Sequence, residues 1–534
     1  MLADICDTSL QKSALGPLPS LLSMMMMITF IRELMRQSSR SIIEILVITP
    51  PSIRGGRTML DDVVARSLWP AAQRPQDRGL EASSGQRVAL VTGSYDANVD
   101  GVALTLNRLV AHLMRSGHKV LVFCPRGRHI MIRSAGARVV RVPAVPLPIW
   151  WEYRLTWGLG REAREALETF APTVVHVAVP DAMGHAAQNW AATRGVPVVC
   201  SHHTRWNRYL DYYGLRWLEP LMWWGMRRFH DGCAVTLPPS RATAAELRSH
   251  GISRVHVWPR GVDGELFLPT ARSARFRRHV LLAASKGGEV EGKGEVVGKG
   301  EGEGEGEGEV RRVNGSAAFS DRSTINDRSA IGDRSAIDER SAFSEHTCVV
   351  LLVARLRWEK GLADFAATAA KLGRLTSSPF RLVVVGDGPA REGLQERLPP
   401  SALFMGPLTG DELAAAYASA DVFLYPSVTE GWGATCLEAE ASGLPVVATN
   451  SSGITDVVAH GLTGLLVPPG DTQALAAAVA ELVSDVPRRV RMGAAARRHA
   501  LNFSWAASGA LVASHYQRVS AAAVSPSPGD RLSL

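Results

Sequence analysis

The apolar runs of this chain narrow its fold more than any other feature. "VALVT", "KVLVF", "TVVHVAV" and "VPVVCSH" carry none of the apolar–polar alternation of a strand wetted on one face. Runs of that kind belong in a parallel sheet covered on both sides. Between the first two, apolar residues recur at Val102, Leu106, Leu109, Val110 and Leu113, the spacing of one helix face. Gly117 stands where a C-cap glycine would end that helix. Strand, glycine-containing loop, helix and parallel strand make a βαβ unit. The alternation continues through predicted helices "GREAREALETFA", "AMGHAAQNWAATRG" and "SRATAAELRSHG" and predicted strands "AVTLPP" and "VHVWP".

Near residue 280 the composition changes abruptly. "GGEVEGKGEVVGKGEGEGEGEGEV" is followed by four imperfect hexads, "SDRSTI", "NDRSAI", "GDRSAI" and "DERSAF", over Ser320–Phe343. Such sequence buries too little apolar surface to offset the entropy of ordering it. Residues 280–345 are therefore expected to be a disordered insertion within an interdomain linker. At Cys348 a second set begins, with "CVVLLVA", "FRLVVVGDG", "DVFLYPS" and "LPVVATN" as strands and helical stretches between. A chain of 534 residues is too long for one ordinary core. The α/β pattern predicts two Rossmann-like, doubly wound domains, 87–279 and 346–500, with a ligand cleft where their strand ends face one another.

Residues 1–86 lack a core pattern and read as a leader. Its apolar run Leu21–Ile31 is about half the roughly 18–20 residues a spanning helix needs. The Arg- and Ser-rich "RELMRQSSRS" behind it suits a transit peptide, and an incorrectly assigned start codon accounts for it equally well. The expected location is plastid or cytoplasm, with membrane association left open. The 6 cysteines contain no CxxC pair and several lie in apolar runs, which predicts reduced, buried thiols and no metal site. The net charge of +8 suits anionic partners. The chain carries no signature of a nucleic-acid-binding module, so no nucleic-acid partner is expected.

"EGWGATCLEAEASG" places Glu430 before a glycine turn and Glu438 one or two turns into a helix that begins near Gly433. A helix N-terminus offers unpaired N–H groups and partial positive charge to a phosphate. A carboxylate on either side accepts hydrogen bonds from hydroxyls. Diphosphate on the helix end with a sugar hydroxyl group on each flank uses all three features. At the end of the first strand of the same domain, "VARLRWEKG" supplies Arg355 and Lys360, two cations suited to a diphosphate.

"ARLRWEKG", "VVGDGP", "YASADVFLYPSVTEGWG" and "CLEAEASGLPVVAT" together resemble glycosyltransferase family 4, retaining enzymes of the GT-B fold. The resemblance covers about residues 87–270 and 347–515. It implies transfer of a hexosyl group from a UDP- or GDP-linked sugar to a hydroxyl acceptor, with no cofactor and no metal. It also implies roles residue by residue. Arg355 and Lys360 would clasp the diphosphate, N–H groups of Gly433, Ala434 and Thr435 would hold a phosphate, Glu438 the ribose, and Glu430 would face the sugar. In the first domain, His203 of "SHHT" would sit near the transferred bond, and Gly101 would allow close approach of acceptor or donor phosphate. "NFSWAAS" near Trp505 is similar to the segment that crosses back to the first domain, giving a crossing helix over 501–520 and a tail over 521–534. Trp432 stands where the family usually has Phe, and Ala434 and Thr435 replace bulkier apolar residues.

Trp206, Tyr209, Tyr212, Tyr213, Trp217, Trp223 and Trp224, interleaved with arginines, suit either a membrane interface or helix packing. On the first reading the acceptor is a lipid such as diacylglycerol. "SHHT…YYGL…W" and "GDELAAAYASADVF" are similar to sulfoquinovosyltransferases of sulfolipid synthesis. "RLRWEKGLADFA" and "WPRGVDGELF" are similar to GDP-mannose-dependent α-mannosyltransferases. A reading of another class is a non-catalytic scaffold that binds partners through its hexads.

Overall fold

The computed structural model describes residues 85–93, 95, 101–127, 136–146, 154–203, 210, 214–282, 347–451 and 453–524. Of the insertion expected over 280–345, residues 280–282 instead end a helix, and the remainder, with residues 1–84 of the leader, Trp206, Tyr209, Tyr212 and Tyr213, lies outside the described residues. In the first half, β1 (Arg87–Val91), β2 (Lys119–Pro125) and β3 (Arg138–Val142) precede a small antiparallel pair, β4 (Ala144–Pro146) and β5 (Arg154–Thr156). β6 (Val174–Val177), β7 (Val198–Ser201) and β8 (Val235–Leu237) complete a parallel sheet in the order β3-β2-β1-β6-β7-β8. In the second half, β9 (Cys348–Val353), β10 (Phe380–Val385), β11 (Leu403–Phe404), β12 (Val422–Tyr425), β13 (Val446–Thr449) and β14 (Gly464–Val467) form β11-β10-β9-β12-β13-β14. Counted by position, both sheets run 3-2-1-4-5-6. Each therefore has a switch point, between β1 and β6 and between β9 and β12, where ligands of such folds bind beyond the strand ends.

The apolar runs are strands for the reason their composition gave. All six residues of β9 are buried, as are all four of β6, β7, β12 and β13. "VHVWP" departs from expectation. It makes an isolated bridge, Val255 with Thr236, and no strand. His256 and Trp258 donate N–H groups to Thr236 and Pro238. Pro238 and Pro239 have no N–H to return, so the ladder stops.

The domain boundaries also differ from those expected. Val262, Phe267 and Val280 pack into the core of the second half, which the chain has thus entered well before residue 279. The helix Ala274–Leu282 is tied there by Arg277, whose guanidinium lies 2.8 Å from Asp421. The last helix, Trp505–Val524, lies against the Gly101–Arg115 helix, and Val512 and Tyr516 join the core of the first half. Phe503 accepts the N–H of Val262 where the chain crosses. No helix among the described residues is long and apolar enough to span a membrane.

Gly361 closes the loop after β9 at φ +74°, and a Cβ there would collide with the carbonyl of Pro426 after β12. The two loops of the switch point touch through it. Gly361→Ala is expected to destabilise the protein by at least about 2 kcal/mol, from left-handed strain plus the clash. A urea midpoint equal to that of the parent chain would contradict this contact.

Candidate functional site

At the second switch point Lys360 and Glu430, 70 residues apart in sequence, form an ion pair of 2.7 Å with each side chain 15 % exposed. Lys360 ends a short 3-10 turn, Trp358–Lys360, directly before Gly361. Glu430 follows β12 in the loop. Tyr425 at 2.8 Å and Ser427 at 3.1 Å donate hydroxyls to the same carboxylate oxygen, Oε1, that Lys360 reaches. Burial pushes the Glu430 carboxyl up, but the Lys360 charge and these hydrogen bonds outweigh it and hold it below the usual range. An ammonium has three donors, so the pairing leaves Lys360 able to contact a ligand as well. Arg355 stands exposed on the same loop, just past β9.

The helix Ala434–Ala441 begins after Gly433, whose N-cap position has no side-chain cap. The Gly433 N–H instead bonds the Gly453 carbonyl at 3.1 Å and the Ala434 N–H the Trp432 carbonyl at 2.8 Å, so these two donors, expected to face a phosphate, are turned to the backbone. Ala434 and Thr435 in the first turn are half-buried. Glu438 lies about one turn further on and accepts the Tyr417 hydroxyl at 3.0 Å. Burial pushes its carboxyl up to about 7, against the lowering effect of that hydroxyl. Glu440, by contrast, is fully buried and paired with His499 at 2.9 Å, a structural contact. Trp432 is buried with its ring against Phe503, at a centroid distance of 5.7 Å. The indole thus fills the junction with the crossing segment.

From the first half, His203 follows β7 and is half-buried. Its Nε2 lies 2.8 Å from the Ser201 hydroxyl, and its Nδ1 lies 3.3 Å from the Arg260 guanidinium. Burial, then the charge of Arg260, holds its pKa well below the usual range. Arg260 also reaches the carbonyl of Gly101, the exposed first residue of its helix, at 3.4 Å. A Cβ on Gly431 would lie 3.6 Å from the His203 carbonyl, so the two halves meet between this histidine and the Glu430 loop. The N–H of Arg241 donates to Asp456 across the same seam at 3.0 Å. His202 is buried, its N–H bonded to Leu237.

The structure thus brings Lys360 to Glu430, and Gly101 to His203 through Arg260. It places Glu438 with Tyr417. Sequence reasoning passed over Arg260, Tyr425, Ser427 and Tyr417. The signal for Arg260 was a cation directly before a glycine in "WPRGVDG"; the tyrosines were hidden inside apolar runs. The cysteines are less scattered in space than in sequence. Ligand atoms of Cys200, Cys233 and His230 lie within 4.8 Å of one another in the buried first half. His230 Nδ1 is bonded to Thr236, and burial pushes the Cys200 thiol up and His230 down, to about 3. Of the aromatic stretch, Trp223 is buried and stacked on His250, whereas Trp217 is 73 % exposed.

Two family models match the chain, "Glycosyltransferase Family 4" over residues 99–266 and "Glycosyl transferases group 1" over residues 333–499. Among curated relatives, the GDP-mannose-dependent alpha-mannosyltransferase of Mycolicibacterium smegmatis is 34 % identical over 81 % of this chain and 97 % of its own length. The sulfoquinovosyl transferase SQD2 of Arabidopsis thaliana is 28 % identical over 86 % of this chain and 79 % of its own. Among solved structures, sucrose-phosphate synthase from Thermosynechococcus elongatus superposes with a TM-score of 0.57 at 19 % identity, covering 82 % of this chain and 100 % of that one. Anabaena HepE with UDP and glucose gives 0.55 at 15 % identity, covering 81 % and 100 %. Both solved structures share the fold. The chain belongs to glycosyltransferase family 4, with the two-domain GT-B fold, and is a hexosyltransferase.

Proposed function

We propose that this enzyme is a retaining glycosyltransferase that moves a hexosyl group from a nucleotide-diphosphate sugar to the hydroxyl of a lipid acceptor. The observation that carries the reading is the row at the second switch point: the Lys360–Glu430 pair, an uncapped helix end, then Glu438. The diphosphate lies on the helix end beside Thr435, the Gly433 and Ala434 N–H groups being bonded to Gly453 and Trp432, with Arg355 and Lys360 opposing the charge that develops as it departs. Glu438 accepts the ribose hydroxyls and Glu430 faces the transferred sugar. His203 and Gly101 border the acceptor side. The acceptor attacks on the face from which the diphosphate leaves, and a donor phosphate oxygen takes its proton. With cations already supplied by side chains, the reading calls for no divalent metal.

Sulfoquinovosyl transfer to diacylglycerol is our first reading of donor and acceptor. It is supported by similarity to SQD2 over 86 % of this chain. Trp217, exposed beside Arg216, suits contact with a membrane surface. Mannosyl transfer from GDP-mannose is the second reading, favoured by the 34 % identity of the mycolicibacterial relative. Thermal shifts of the full chain with UDP and with GDP separate them. Ligand at 100 times its dissociation constant stabilises by about 2.7 kcal/mol. UDP alone stabilising supports the sulfoquinovosyl reading, and GDP alone the mannosyl one. Neither doing so in a folded sample, or turnover abolished by EDTA, defeats the proposal in its donor or metal part respectively.

A further inference from the structure

A buried line of hydrogen bonds runs from the cleft to the last helix. Arg260 lies 3.3 Å from His203 Nδ1, and His203 Nε2 lies 2.8 Å from Ser201 Oγ. Ser201 Oγ lies 2.9 Å from His176 Nε2, and His176 Nδ1 lies 2.5 Å from the Tyr516 hydroxyl. His176, Ser201 and Tyr516 are at most 1 % exposed. Trp258 packs edge-on against both histidines and donates its indole N–H to Ser508 on the same last helix at 2.9 Å.

Taken head to tail from the guanidinium, with each hydroxyl accepting once and donating once, the line has one direction. A guanidinium only donates, so His203 Nδ1 accepts and its ring proton is on Nε2. That proton is donated to Ser201 Oγ, whose own proton then goes to His176 Nε2. His176 consequently carries its proton on Nδ1 and donates it to Tyr516. The reverse direction sets an N–H of His203 against an N–H of Arg260. Burial agrees, keeping His176 neutral with a pKa near 3. With both ring nitrogens engaged, His203 presents its carbonyl toward Gly431, where the two halves meet.

We propose that Tyr516, His176 and Ser201 are positioning residues for His203. Through them the helix returning from the second domain holds the ring orientation of the cleft histidine, whose tautomer Arg260 sets. The inference rests on the reading of His203 as a site residue. Removing the Tyr516 hydroxyl deprives His176 Nδ1 of its partner, so His176 loses its fixed tautomer and Ser201 its fixed acceptor, while Arg260 still holds the His203 proton on Nε2.

The test combines ring-nitrogen NMR of histidine-labelled full chain with turnover of the nucleotide-sugar that the enzyme accepts. The parent chain is expected to show His203 protonated on Nε2 and His176 on Nδ1. Tyr516→Phe should mix the His176 tautomers, leave His203 protonated on Nε2, and lower kcat about tenfold while donor KM moves less than twofold. Ser201→Ala should behave alike, and Ser201→Thr, which keeps the hydroxyl, should restore turnover. Parent-like tautomers and kcat in Tyr516→Phe, with His203→Gln inactive, would overturn the relay and leave the His203 reading standing. Full turnover in His203→Gln would instead remove the reading on which the relay rests, whatever the tautomers show.

Discussion

Lys360→Met is expected to lower kcat/KM about 10³-fold, the upper part of the range for deleting one preorganised charge that faces a developing anion. The change also strands Glu430. Three donors converge on its Oε1, and Lys360 at 2.7 Å is the charged one. Without the ammonium, burial is opposed only by the Tyr425 and Ser427 hydroxyls, so the carboxyl's pKa rises. Breaking a largely buried pair from one side destabilises by about 3 kcal/mol, measurable as a fall in the urea midpoint. The double variant Lys360→Met/Glu430→Gln separates the two effects. It removes the stranded charge, so most of the stability should return, while turnover should not. A double variant that regained turnover as well would show the pair to be structural support and sink its assignment to the donor. The parent pair also has a definite pH signature. Glu430 is held below its usual range, so its contribution is present at neutral pH and is lost as pH falls through the folded value.

What the sequence disclosed and what it hid divide along physical lines. Strands buried on both faces announce themselves, because every residue in them must be apolar; β6, β9 and β12 were legible for that reason. The types of residue at the strand ends were legible too, since cations, glycines and carboxylates in such loops have few reasons to be there. Their pairing was not. Lys360 reads in sequence as a phosphate ligand and Glu430 as a sugar ligand, and only the adjacency of β9 and β12 makes them partners. Local pattern likewise misjudged "VHVWP", where apolar residues suggested a strand and the neighbouring prolines denied it partners. Val262, Phe267 and Val280 crossed into the second core although their segment continues the first domain in sequence. Tyr516 was beyond reach, being 340 residues from the histidine it bonds.

Glu438 supplies the second large effect, and its sign can be fixed. The carboxyl is raised by burial to about 7, yet on the proposed reading ribose hydroxyls would donate to its ionised form. About nine tenths of the ligand-free protein is ionised there at pH 8 and about one tenth at pH 6. Donor affinity should therefore fall about tenfold between pH 8 and pH 6. The intact nucleotide-sugar is the probe to use, because its diphosphate is a diester that does not titrate in this range, unlike the terminal phosphate of UDP or GDP. Glu438→Gln should bind more weakly at pH 8 and show almost no slope. Ligand-free stability should move the opposite way. A raised pKa means that the folded chain keeps a proton the unfolded chain releases, so this contribution is full below the unfolded value and is lost as pH rises through 7. The shift from 4.5 to about 7 limits it to about 3 kcal/mol, read as the difference in pH dependence between parent and Glu438→Gln. Affinity rising with pH while stability falls, both slopes vanishing in one variant, would place an ionised Glu438 on the ligand. If the affinity slope survived in Glu438→Gln, the ribose would have to be held by another group.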